Sequence, residues 1–392
     1  MKAAKQPTTP LRVMLAMEAA GGGAARHVLD LAEGLLRRDH EVLLVYSSAR
    51  AEDWCRKAIQ AMSGLATREL PMRRAVGSDD LFLALQLRRL IDETGPFEIL
   101  HGHSSKAGAL LRLAAIGKST PCIYTPHAFI TLNPDLGSAA RFAYRTVEWF
   151  LSYLASTIIC VSEQELEHAR SLGIRSDKLS LVHNGIPRLA RAERQSMRAE
   201  LQLGADEFCV GFVGRLSAQK SVHRLISAFA VAAHHRAGLR LVIVGDGPDR
   251  GELEALATEL KIADQVMFAG SRNGVAAMAA FDMFALPSRY EAFPYVLLEA
   301  ASQGLPIVMT ETGGAHSVVK HETNGFVVPQ DENEFLAACL GQLADDRNLA
   351  RRMGECSESV AREFSVDNMV ERTLRVYANA LKLPDESVRV FQ

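Results

Sequence analysis

Short apolar runs alternate with amphipathic segments of helical length along the first half of the chain. The run at 11–17 leads through a glycine loop into a helical pattern at 24–37. Further apolar runs lie at 41–47, 97–101, 121–125, 157–161 and 178–182. Strands that are apolar on both faces and alternate with helices are typical of a parallel sheet covered on both sides. The pattern predicts a doubly wound, Rossmann-like α/β domain over residues 11–186.

The periodicity lapses at 187–204, a polar and basic segment with Pro187 near its start and Gly204 at its end. This composition predicts an interdomain linker that contains a helical turn at 193–202. A second alternating series follows, with apolar runs at 208–214, 239–245, 265–270, 282–287, 305–310 and 326–329. It predicts a second Rossmann-like domain over residues 205–364.

The two ends of the chain complete the predicted organisation. Residues 1–10 are expected to be disordered, and residues 365–392 are expected to form a C-terminal helix that crosses back to the first domain. The predicted fold class is therefore α/β, with two doubly wound domains and a cleft between them. Ligands of such sheets bind at the carboxyl ends of the strands, so we expect the site to face that cleft.

Composition narrows the class of protein. The chain has 392 residues, 48% of them hydrophobic, and a net charge of −2 without a basic arm, which argues against a nucleic-acid binder. The six cysteines are scattered without a CxxC pair or a Cys/His cluster, which predicts reduced thiols, no disulfides and no zinc site. Neither a secretion signal nor a run of about 18 apolar residues is present, so we expect a cytoplasmic protein.

A glycine loop, Gly21 to Gly23, follows the first strand and opens a helix. Glycines there let the backbone approach an anion, and Gly22 and Gly23 are candidate donor-binding residues. A tight strand-to-helix turn explains the same glycines equally well. Ala24 and Arg26 depart from the dinucleotide-binding fingerprint, and no acidic residue closes a strand about 20 residues on, which disfavours a dehydrogenase.

Two cations follow the first strand of the second series. Arg215 comes directly after the apolar run, and Lys220 lies where the next helix begins. Cations that converge on a helix N-terminus form a site for a diphosphate. The alternative, two solvated surface charges, is less favoured because Arg215 emerges directly from a buried strand end. Asp246 and Asp249, in the next strand-end loop, are interpreted as helix caps.

Two glutamates lie in the segment 286–304. Glu291 occupies a loop after a strand, and Glu299 lies about one turn inside the following helix, flanked by apolar residues. Carboxylates accept hydrogen bonds from neighbouring hydroxyls, so one can hold a sugar and the other a ribose. Burying an idle charge on an apolar helix face is unfavourable, which favours a functional interpretation for both residues.

This glutamate pair closely resembles the motif of glycosyltransferase family 4, a large family of retaining enzymes with the GT-B fold. The run from Gly214 to Lys220 resembles that family's diphosphate clamp, and HGHSSKAG, TPHAF and VHNGI resemble its N-terminal signatures at 101–108, 125–129 and 182–186. The resemblance extends from Leu11 to about Tyr377, with the motifs in the family's order.

The resemblance implies a role for each donor-side residue. Glu291 would bind hydroxyls of the donor sugar, Glu299 would hold the ribose, and Arg215 with Lys220 would neutralise the leaving diphosphate. The sugar would also meet the backbone of Ala292, Phe293 and Pro294, and the base would lie near Phe268 to Arg272.

Three residues of the first domain receive roles in the same way. His127 corresponds to a histidine that reaches the donor sugar from the opposite domain, although a hydrogen-bonded histidine at a strand end is the alternative. His103 and Lys106 are expected to face the acceptor.

The resemblance also implies the chemistry. No Asp-x-Asp occurs, so we expect metal-independent transfer without a cofactor. The favoured family mechanism is front-face attack in which the leaving phosphate accepts the proton, without an enzymic general base. Pro294 has no N–H and departs from the glycines that many relatives have after the first glutamate. A UDP-sugar is the expected donor, with GDP-mannose second.

The acceptor is expected to be a saccharide or a lipid-linked saccharide of cell-surface glycan biosynthesis, at the inner face of the cytoplasmic membrane. Basic residues that could face a membrane are Arg68, Arg73, Arg74, Arg88 and Arg89. The segment 141–153 interleaves arginines with aromatic residues, as interfacial helices do. A helix packed on its sheet has the same pattern and is the favoured interpretation.

Two other classes of function stay open at this point. A sugar-nucleotide epimerase or a phosphorylase could use the same fold, although a phosphorylase needs a pyridoxal-binding lysine and the second half has few lysines. A non-catalytic, two-domain small-molecule binding protein is the second alternative. Such proteins are usually exported, and no secretion signal is expected here.

Overall fold

The computed structural model describes residues 10–18, 20–73, 77 and 79–383. The chain divides into two compact units, which we call the first and the second unit. The first unit holds the described residues up to 185 together with those from 366 onward, and the second unit holds Ile186–Ser365. Residues 1–9 of the N-terminus expected to be disordered, and residues 384–392 of the C-terminal segment, lie outside the described residues.

The strands are short, and those in the middle of each sheet are almost entirely buried. Those of the first unit are β1 (Arg12–Met17), β2 (Glu41–Tyr46), β3 (Ala66–Glu69), β4 (Ile99–His103), β5 (Cys122–Thr125), β6 (Thr157–Cys160) and β7 (Leu179–Leu181). Those of the second unit are β8 (Phe208–Val213), β9 (Leu239–Val244), β10 (Val266–Gly270), β11 (Met283–Leu286), β12 (Ile307–Thr310) and β13 (Gly325–Val328).

Helices fill the intervals between the strands. The first unit contains α1 (Gly22–Leu36), α2 (Asp53–Ala61), α3 (Asp79–Thr94), α4 (Ser105–Ala114), α5 (Ser138–Ser152) and α6 (Glu163–Ser171). The second unit contains α7 (Arg194–Glu200), α8 (Val222–Ala233), α9 (Arg250–Glu259), α10 (Gly274–Met278), α11 (Tyr295–Ser302), α12 (Ala315–Val318), α13 (Asn333–Asp345) and α14 (Arg347–Ala361). The last helix, α15 (Val366–Ala380), belongs to the first unit. Short 3₁₀ turns lie at Ser48–Arg50, Ile130–Leu132 and Ser176–Lys178. Among the described residues, none of the helices has the length and hydrophobicity of a transmembrane span.

Each unit is built on one parallel sheet. The strand order is β3-β2-β1-β4-β5-β6-β7 in the first unit and β10-β9-β8-β11-β12-β13 in the second. In both sheets the order reverses beside the first strand, between β1 and β4 and between β8 and β11. Loops that leave neighbouring strands in opposite directions at such a switch point open a crevice at the carboxyl edge of the sheet. This topology confirms the predicted α/β fold with two doubly wound domains.

The first sheet is covered on both faces. One face packs against α1 and α15 in a cluster that includes Val28, Val370 and Tyr377. The other face packs against α3 and α4. A Cβ at Gly34 of α1 would lie 2.4 Å from a methyl carbon of Val370, so glycine allows α1 and α15 to approach closely. The C-terminal helix is therefore an integral layer of the first unit.

The structure differs from the sequence-based boundaries in two places. The segment 187–204, expected to be a linker, is part of the second unit and contains α7. Arg198 of this helix is buried and donates to the Ala280 carbonyl and to Asp282, which attaches the segment to the second sheet. Strand β3 has no counterpart among the predicted strands, because an edge strand with mostly exposed residues lacks the apolar signal of a central one.

Helix α5 contains the aromatic-basic segment of the sequence. Its buried residues include Glu148, which accepts hydrogen bonds from Arg112 at 3.1 Å and from the Tyr124 hydroxyl at 3.0 Å. The Arg112 guanidinium is fully buried and also lies 3.9 Å from the centre of the Tyr124 ring. Phe142 and Phe150 are exposed. The helix does pack on its own unit, through Glu148 and Leu151, and most of its large aromatic side chains are exposed.

Replacing Arg112 by methionine should destabilise the first unit. The change leaves the Glu148 carboxylate buried without its cation, and breaking a buried ion pair in this way costs about 3–5 kcal/mol. Both tryptophans, Trp54 and Trp149, lie in the first unit, so urea unfolding followed by tryptophan fluorescence reports on this unit.

The double variant Arg112→Met/Glu148→Gln should recover part of the loss, because it removes the uncompensated charge. Arg175→Gln, which breaks the exposed pair with Asp177, is the matched control and should stay within about 0.5 kcal/mol of the wild type. A single Arg112→Met variant as stable as this control would contradict the interpretation.

Candidate functional site

The second unit places predicted residues together at its switch point. Lys220, in the loop after β8, forms an ion pair with Glu291, in the loop after β11, at 2.6 Å between Nζ and Oε1. Two further bonds join these loops. The Gln219 amide donates to the Tyr290 carbonyl at 3.0 Å, and the Arg289 N–H donates to the Gln219 carbonyl at 2.8 Å. The two loops therefore form one connected surface at the carboxyl edge of the sheet.

Two of the charged side chains on this surface form an ion pair with each other, and a third does not form one with any described residue. The side chains of Lys220 and Glu291 are largely buried, with exposed fractions of 17% and 8%. Arg215 is exposed and takes part in none of the ion pairs between described residues. Arg215 thus places a positive charge without an ion-pair partner among the described residues in the same loop as Lys220, and such a charge attracts an anionic group.

A pair of glycines that the sequence analysis did not single out sets the shape of the Glu291 loop. A Cβ at Gly313 would lie 2.1 Å from the Ala292 carbonyl oxygen and 2.4 Å from that of Glu291. Gly314 has a φ of 83°, and a Cβ there would lie 2.8 Å from the Phe293 ring. Only glycine permits this approach. The signal in the sequence was the Gly-Gly pair directly between a strand and a helix.

The remaining residues of the Glu291 loop have separate structural roles. Phe293 is buried and its ring lies 5.6 Å from that of Phe364. Pro294 is the N-cap residue of α11, where its missing N–H costs no helical hydrogen bond. Ala292 and Glu299 are half-buried, Glu299 on the second turn of α11.

The residues expected near the base lie farther along the sheet. Phe268 belongs to β10, the edge strand separated from β8 by β9, and it is half-buried. Arg272 forms an ion pair with Glu200 at 2.9 Å and donates to the Ala269 carbonyl at 3.0 Å. The structure therefore gives Arg272 a structural partner and does not join it to the Lys220–Glu291 pair.

The helix-cap interpretation of the two aspartates is wrong for Asp249. It occupies the N-cap position of α9 but its side chain accepts no capping hydrogen bond. Asp246 instead accepts from the Gly247 N–H at 2.7 Å and pairs with Arg250 at 3.3 Å, which stabilises the loop after β9.

In the first unit, the glycine loop lies under an acidic side chain. A Cβ at Gly21 would lie 2.4 Å from a carboxylate oxygen of Glu52. Gly22 has a φ of 61° and begins α1, and the position where its Cβ would lie is open, as is expected of a tight strand-to-helix turn. A carboxylate over Gly21 repels an anion there, so this geometry favours the turn interpretation for the loop.

Four histidines gather at the switch point of the first unit. His27 lies on α1, His101 and His103 on β4, and His127 directly after β5. His103 Nδ1 lies 3.1 Å from His127 Nε2, and His27 Nδ1 lies 3.0 Å from Asn184 Oδ1. His101 bonds the Tyr377 hydroxyl and the Thr125 hydroxyl, at 2.7 and 2.8 Å.

Burial keeps these imidazoles neutral. It lowers the pKa of His27 from 6.5 to about 4, and it lowers the pKa values of His101, His103 and His127 well below their usual value. For His101, His103 and His127, neighbouring histidines also lower the pKa, because a second positive charge so close would be unfavourable. Neutral imidazoles can accept hydrogen bonds from hydroxyls or bind metal ions.

The turn that carries His127 is held in an unusual backbone conformation. His127 and Ala128 have φ values of 55° and 86°. Glu165, at the start of α6, accepts the N–H of Ala128 at 2.7 Å and that of Val161 at 2.8 Å. Burial raises the pKa of Glu165 from 4.5 to about 7, while these two hydrogen bonds oppose the shift. Strained turns of this kind persist where the surroundings fix them.

Lys106, which we expected to face the acceptor, is engaged within the first unit. It lies in the first turn of α4, is almost entirely buried, and pairs with Asp80 of α3. His103 is buried beside His127. The structure thus brings together His103 and His127 and leaves Lys106 in a structural ion pair.

The sequence analysis missed His27, Asn184 and Glu165. Asn184 lies in the VHNGI motif, but nothing in that motif shows that it meets a histidine 157 positions earlier in the chain. Glu165 looks like an ordinary acidic residue of a helix first turn. Their roles depend on long-range contacts, which a single sequence does not display.

Removing the Glu165 carboxylate should loosen the turn that carries His127. Glu165→Ala leaves two N–H groups without their acceptor, and an unsatisfied buried donor costs about 1–3 kcal/mol. We expect a clearly lower urea midpoint of the first unit, measured by tryptophan fluorescence. Glu167→Gln, an exposed change on the same helix, should leave the midpoint unchanged. Equal midpoints for the two variants would rule out the supporting role of Glu165.

Two protein-family models match the chain, one over each half. Residues 21–188 match the family model described as Glycosyltransferase Family 4, and residues 193–360 match the model described as Glycosyl transferases group 1. The chain is 27% identical over 380 residues to an uncharacterized glycosyltransferase of Methanocaldococcus jannaschii, covering 92% of this chain and 95% of that protein. It is 28% identical over 295 residues to the UDP-Gal:alpha-D-GlcNAc-diphosphoundecaprenol alpha-1,3-galactosyltransferase of Escherichia coli, covering 72% and 75%.

Solved structures show the same fold. The crystal structure of Anabaena HepE in complex with UDP and glucose superposes with a TM-score of 0.80 at 22% identity, covering 94% of this chain and 100% of that chain. WaaG, a glycosyltransferase involved in lipopolysaccharide biosynthesis, superposes with a TM-score of 0.73 at 19% identity, covering 93% and 99%. The two family models together span nearly the whole chain, and the chain therefore belongs to glycosyltransferase family 4 and is a glycosyltransferase with the GT-B fold.

Proposed function

We propose that this protein transfers a sugar from a nucleotide-sugar, with a UDP-sugar favoured over GDP-mannose, to a saccharide or lipid-linked acceptor in cell-surface glycan biosynthesis. The transfer retains the anomeric configuration and uses no metal ion. The observation that carries the proposal is the Lys220–Glu291 pair at the switch point of the second unit, with the exposed Arg215 in the same loop as Lys220.

The pair explains how a donor would be held. A diphosphate brings negative charge to Arg215 and Lys220, and charge-assisted bonds to phosphate oxygens are about twice as strong as neutral ones. Lys220 then shares its charge between the phosphate and Glu291. The carboxylate of Glu291 keeps acceptor capacity for sugar hydroxyls, since an ionised carboxylate offers about four lone-pair sites.

The same cations would drive the reaction. The acceptor oxygen bonds to the anomeric carbon while the bond from that carbon to the leaving phosphate oxygen breaks on the same face. The proton of the acceptor hydroxyl passes to the leaving phosphate. Arg215 and Lys220 stabilise the negative charge that develops on the diphosphate. A divalent cation has this role in other transferases.

The comparisons support the choice of donor. Crystal structures of Anabaena HepE contain UDP, UDP with glucose, and UDP-glucose. The Escherichia coli relative is named for a UDP-Gal donor. Pro294 removes one N–H donor from the loop that would face the sugar.

The acceptor proposal rests on relatives as well. The name of the Escherichia coli relative specifies a diphosphoundecaprenol-linked GlcNAc acceptor, and a Rhizobium meliloti relative, LpsE, is named for lipopolysaccharide core biosynthesis. The first of these names describes an acceptor in which the sugar is carried on a lipid diphosphate. We therefore favour a lipid-linked saccharide.

A transfer assay with purified protein, EDTA and a panel of UDP- and GDP-sugars tests the proposal. With a polyprenyl-diphosphate-linked sugar as acceptor, a UDP-sugar should give a glycoside with the anomeric configuration of the donor, determined by NMR. Arg215→Met should lower kcat by about 10²–10³-fold, the usual effect of removing one group that stabilises developing charge. Glu291→Gln should lower kcat/KM by about 10–100-fold, the usual effect of losing hydrogen bonds to a charged acceptor.

Arg240→Gln is the matched control for Arg215→Met. It breaks the partly buried pair with Glu207 at the amino end of β9, far along the strand from the switch point, and should keep wild-type kcat. An inverted product or a loss of activity in EDTA would refute the proposed mechanism. Binding of nucleotide-sugars without transfer to any acceptor would favour the binding-protein alternative, and change of the donor sugar alone would favour the epimerase.

We also propose that α5 attaches the protein to an anionic membrane surface. Its outward side exposes Phe142, Arg145, Trp149 and Phe150, and Tyr153 follows directly. The only acidic residue of α5, Glu148, points inward to Arg112. Aromatic and cationic side chains without an exposed carboxylate suit the interface of an anionic bilayer. Arg74, one of the basic residues considered above, lies outside the described residues.

Flotation with lipid vesicles tests this attachment. The protein should float with vesicles that contain phosphatidylglycerol and far less with pure phosphatidylcholine, and Phe142→Ser/Phe150→Ser should lower the bound fraction several-fold. Val231→Ser, an equally exposed apolar change on α8 of the second unit, is the control and should bind as the wild type does. Equal flotation of all three proteins would exclude α5 as the attachment surface.

A further inference from the structure

Three histidines of the first unit converge on one point. His27, His103 and His127 each offer a ring nitrogen, and these ligand atoms all lie within 4.8 Å of one another. The residues come from α1, from the last position of β4 and from the turn after β5. Among the described residues, no other group of histidine, cysteine and acidic side chains meets this condition.

The spacing of the rings fits a metal ion. The ring centroids are separated by 4.6 Å for His27 and His127, 5.5 Å for His27 and His103, and 5.4 Å for His103 and His127. With a Zn–N distance of about 2.0–2.1 Å and tetrahedral angles, three imidazoles around one ion would have centroids about 5 Å apart. Small side-chain rotations therefore suffice to complete the site.

One of the rings is already oriented by a second residue. His27 Nδ1 lies 3.0 Å from Asn184 Oδ1, so its N–H is on Nδ1 and the lone pair of Nε2 is available. Metal-binding histidines almost always donate their other N–H to an oxygen in this way, which fixes the tautomer. His101, by contrast, has both nitrogens bonded to hydroxyls and is not a ligand in this arrangement.

A second observation points to a missing partner. His103 Nε2 is buried and has no hydrogen-bond partner among the described residues. A buried polar atom without a hydrogen-bond partner is unfavourable in a folded protein. A bound ion would supply the missing partner.

We propose that His27, His103 and His127 bind one divalent transition-metal ion, for which Zn²⁺ is the best match. Imidazole nitrogen is a ligand of choice for Zn²⁺, and three protein ligands leave a fourth coordination position. That position lies on the side of His127, which is the half-buried member of the three. A water molecule or an anion would fill it.

The ion would act as an inhibitor of the proposed transferase and not as a cofactor. It would occupy the His127 ring, which the family resemblance assigns to the donor sugar. This consequence rests on the proposed function, whereas metal binding itself depends only on the geometry of the first unit. The proposal is therefore compatible with transfer in EDTA.

Metal binding is measured directly on the full chain, purified without a histidine tag. Calorimetry with Zn²⁺ should give one ion per chain, and Co²⁺ should give the intense visible absorption of a tetrahedral site. His27→Gln and His127→Asn should each weaken binding at least tenfold and abolish the tetrahedral spectrum. Asparagine suits position 127 because it tolerates a positive φ. Asn184→Ala should weaken binding about 10–100-fold, as loss of an orienting partner does.

The control is His235→Asn, at an exposed histidine pair of the second unit. It also has a positive φ of 66° in the wild type and should leave the high-affinity site intact. Near-ultraviolet circular dichroism establishes that each variant is folded, and Asn184→Ala still tests the site if a histidine variant does not fold.

Failure of the site and failure of the proposed function are distinguishable. Absence of a tetrahedral Co²⁺ spectrum, or Zn²⁺ affinity that the His27, His127 and Asn184 changes leave unaltered, would overturn the metal site whatever the activity. A high-affinity site in a protein that transfers no sugar would support the metal site and count against the proposed function. In an active protein, Zn²⁺ should lower transfer by the wild type, and EDTA should restore it.

Discussion

The pairing of Lys220 with Glu291 joins the two loops on which the proposed donor site depends. Its two charges are largely buried and lie 2.6 Å apart, so each is stable there only because of the other. The pair lies where β8 and β11 neighbour each other although they are far apart in the chain. Parallel strands buried on both faces leave polar side chains little room except at their ends. A doubly wound sheet therefore concentrates its chemistry at the carboxyl edge, where the loops diverge.

Close backbone approach shapes this edge in the second unit. Gly313 and Gly314 lie against the Glu291 loop, and any side chain at Gly313 would collide with two carbonyl oxygens. A Cβ at Gly245 would likewise lie 1.9 Å from the Gly214 carbonyl oxygen, so the loops after β8 and β9 also touch through backbone atoms. Contacts of this kind hold the position of Arg215 and Glu291 more firmly than surface side chains could, because backbone atoms have few alternative conformations.

The two switch points differ in their electrostatics: one contains charged side chains, and the other contains neutral imidazoles. The second unit balances a buried cation against a buried anion and leaves Arg215 exposed, which suits an anionic ligand. The first unit gathers four imidazoles and keeps them neutral by burial. Its carboxylate at Glu52 lies over the glycine loop, where a phosphate would otherwise be expected. The same topology thus presents one site for charge and one for neutral ligands or a metal ion.

The sequence by itself determined the class of fold, because strands that are buried on both faces are visible as continuous apolar runs. It also placed Arg215, Lys220 and Glu291 in the loops that follow two of these runs. Only the tertiary structure decided which of these charges meet, that Arg272 pairs with Glu200, and that residues 187–204 belong to the second unit. Only the tertiary structure brought His27 close to His103 and His127, which are far from it in the sequence. The physical reason is that periodicity reports the burial of each position, whereas a contact between distant positions depends on how the strands are ordered in the sheet.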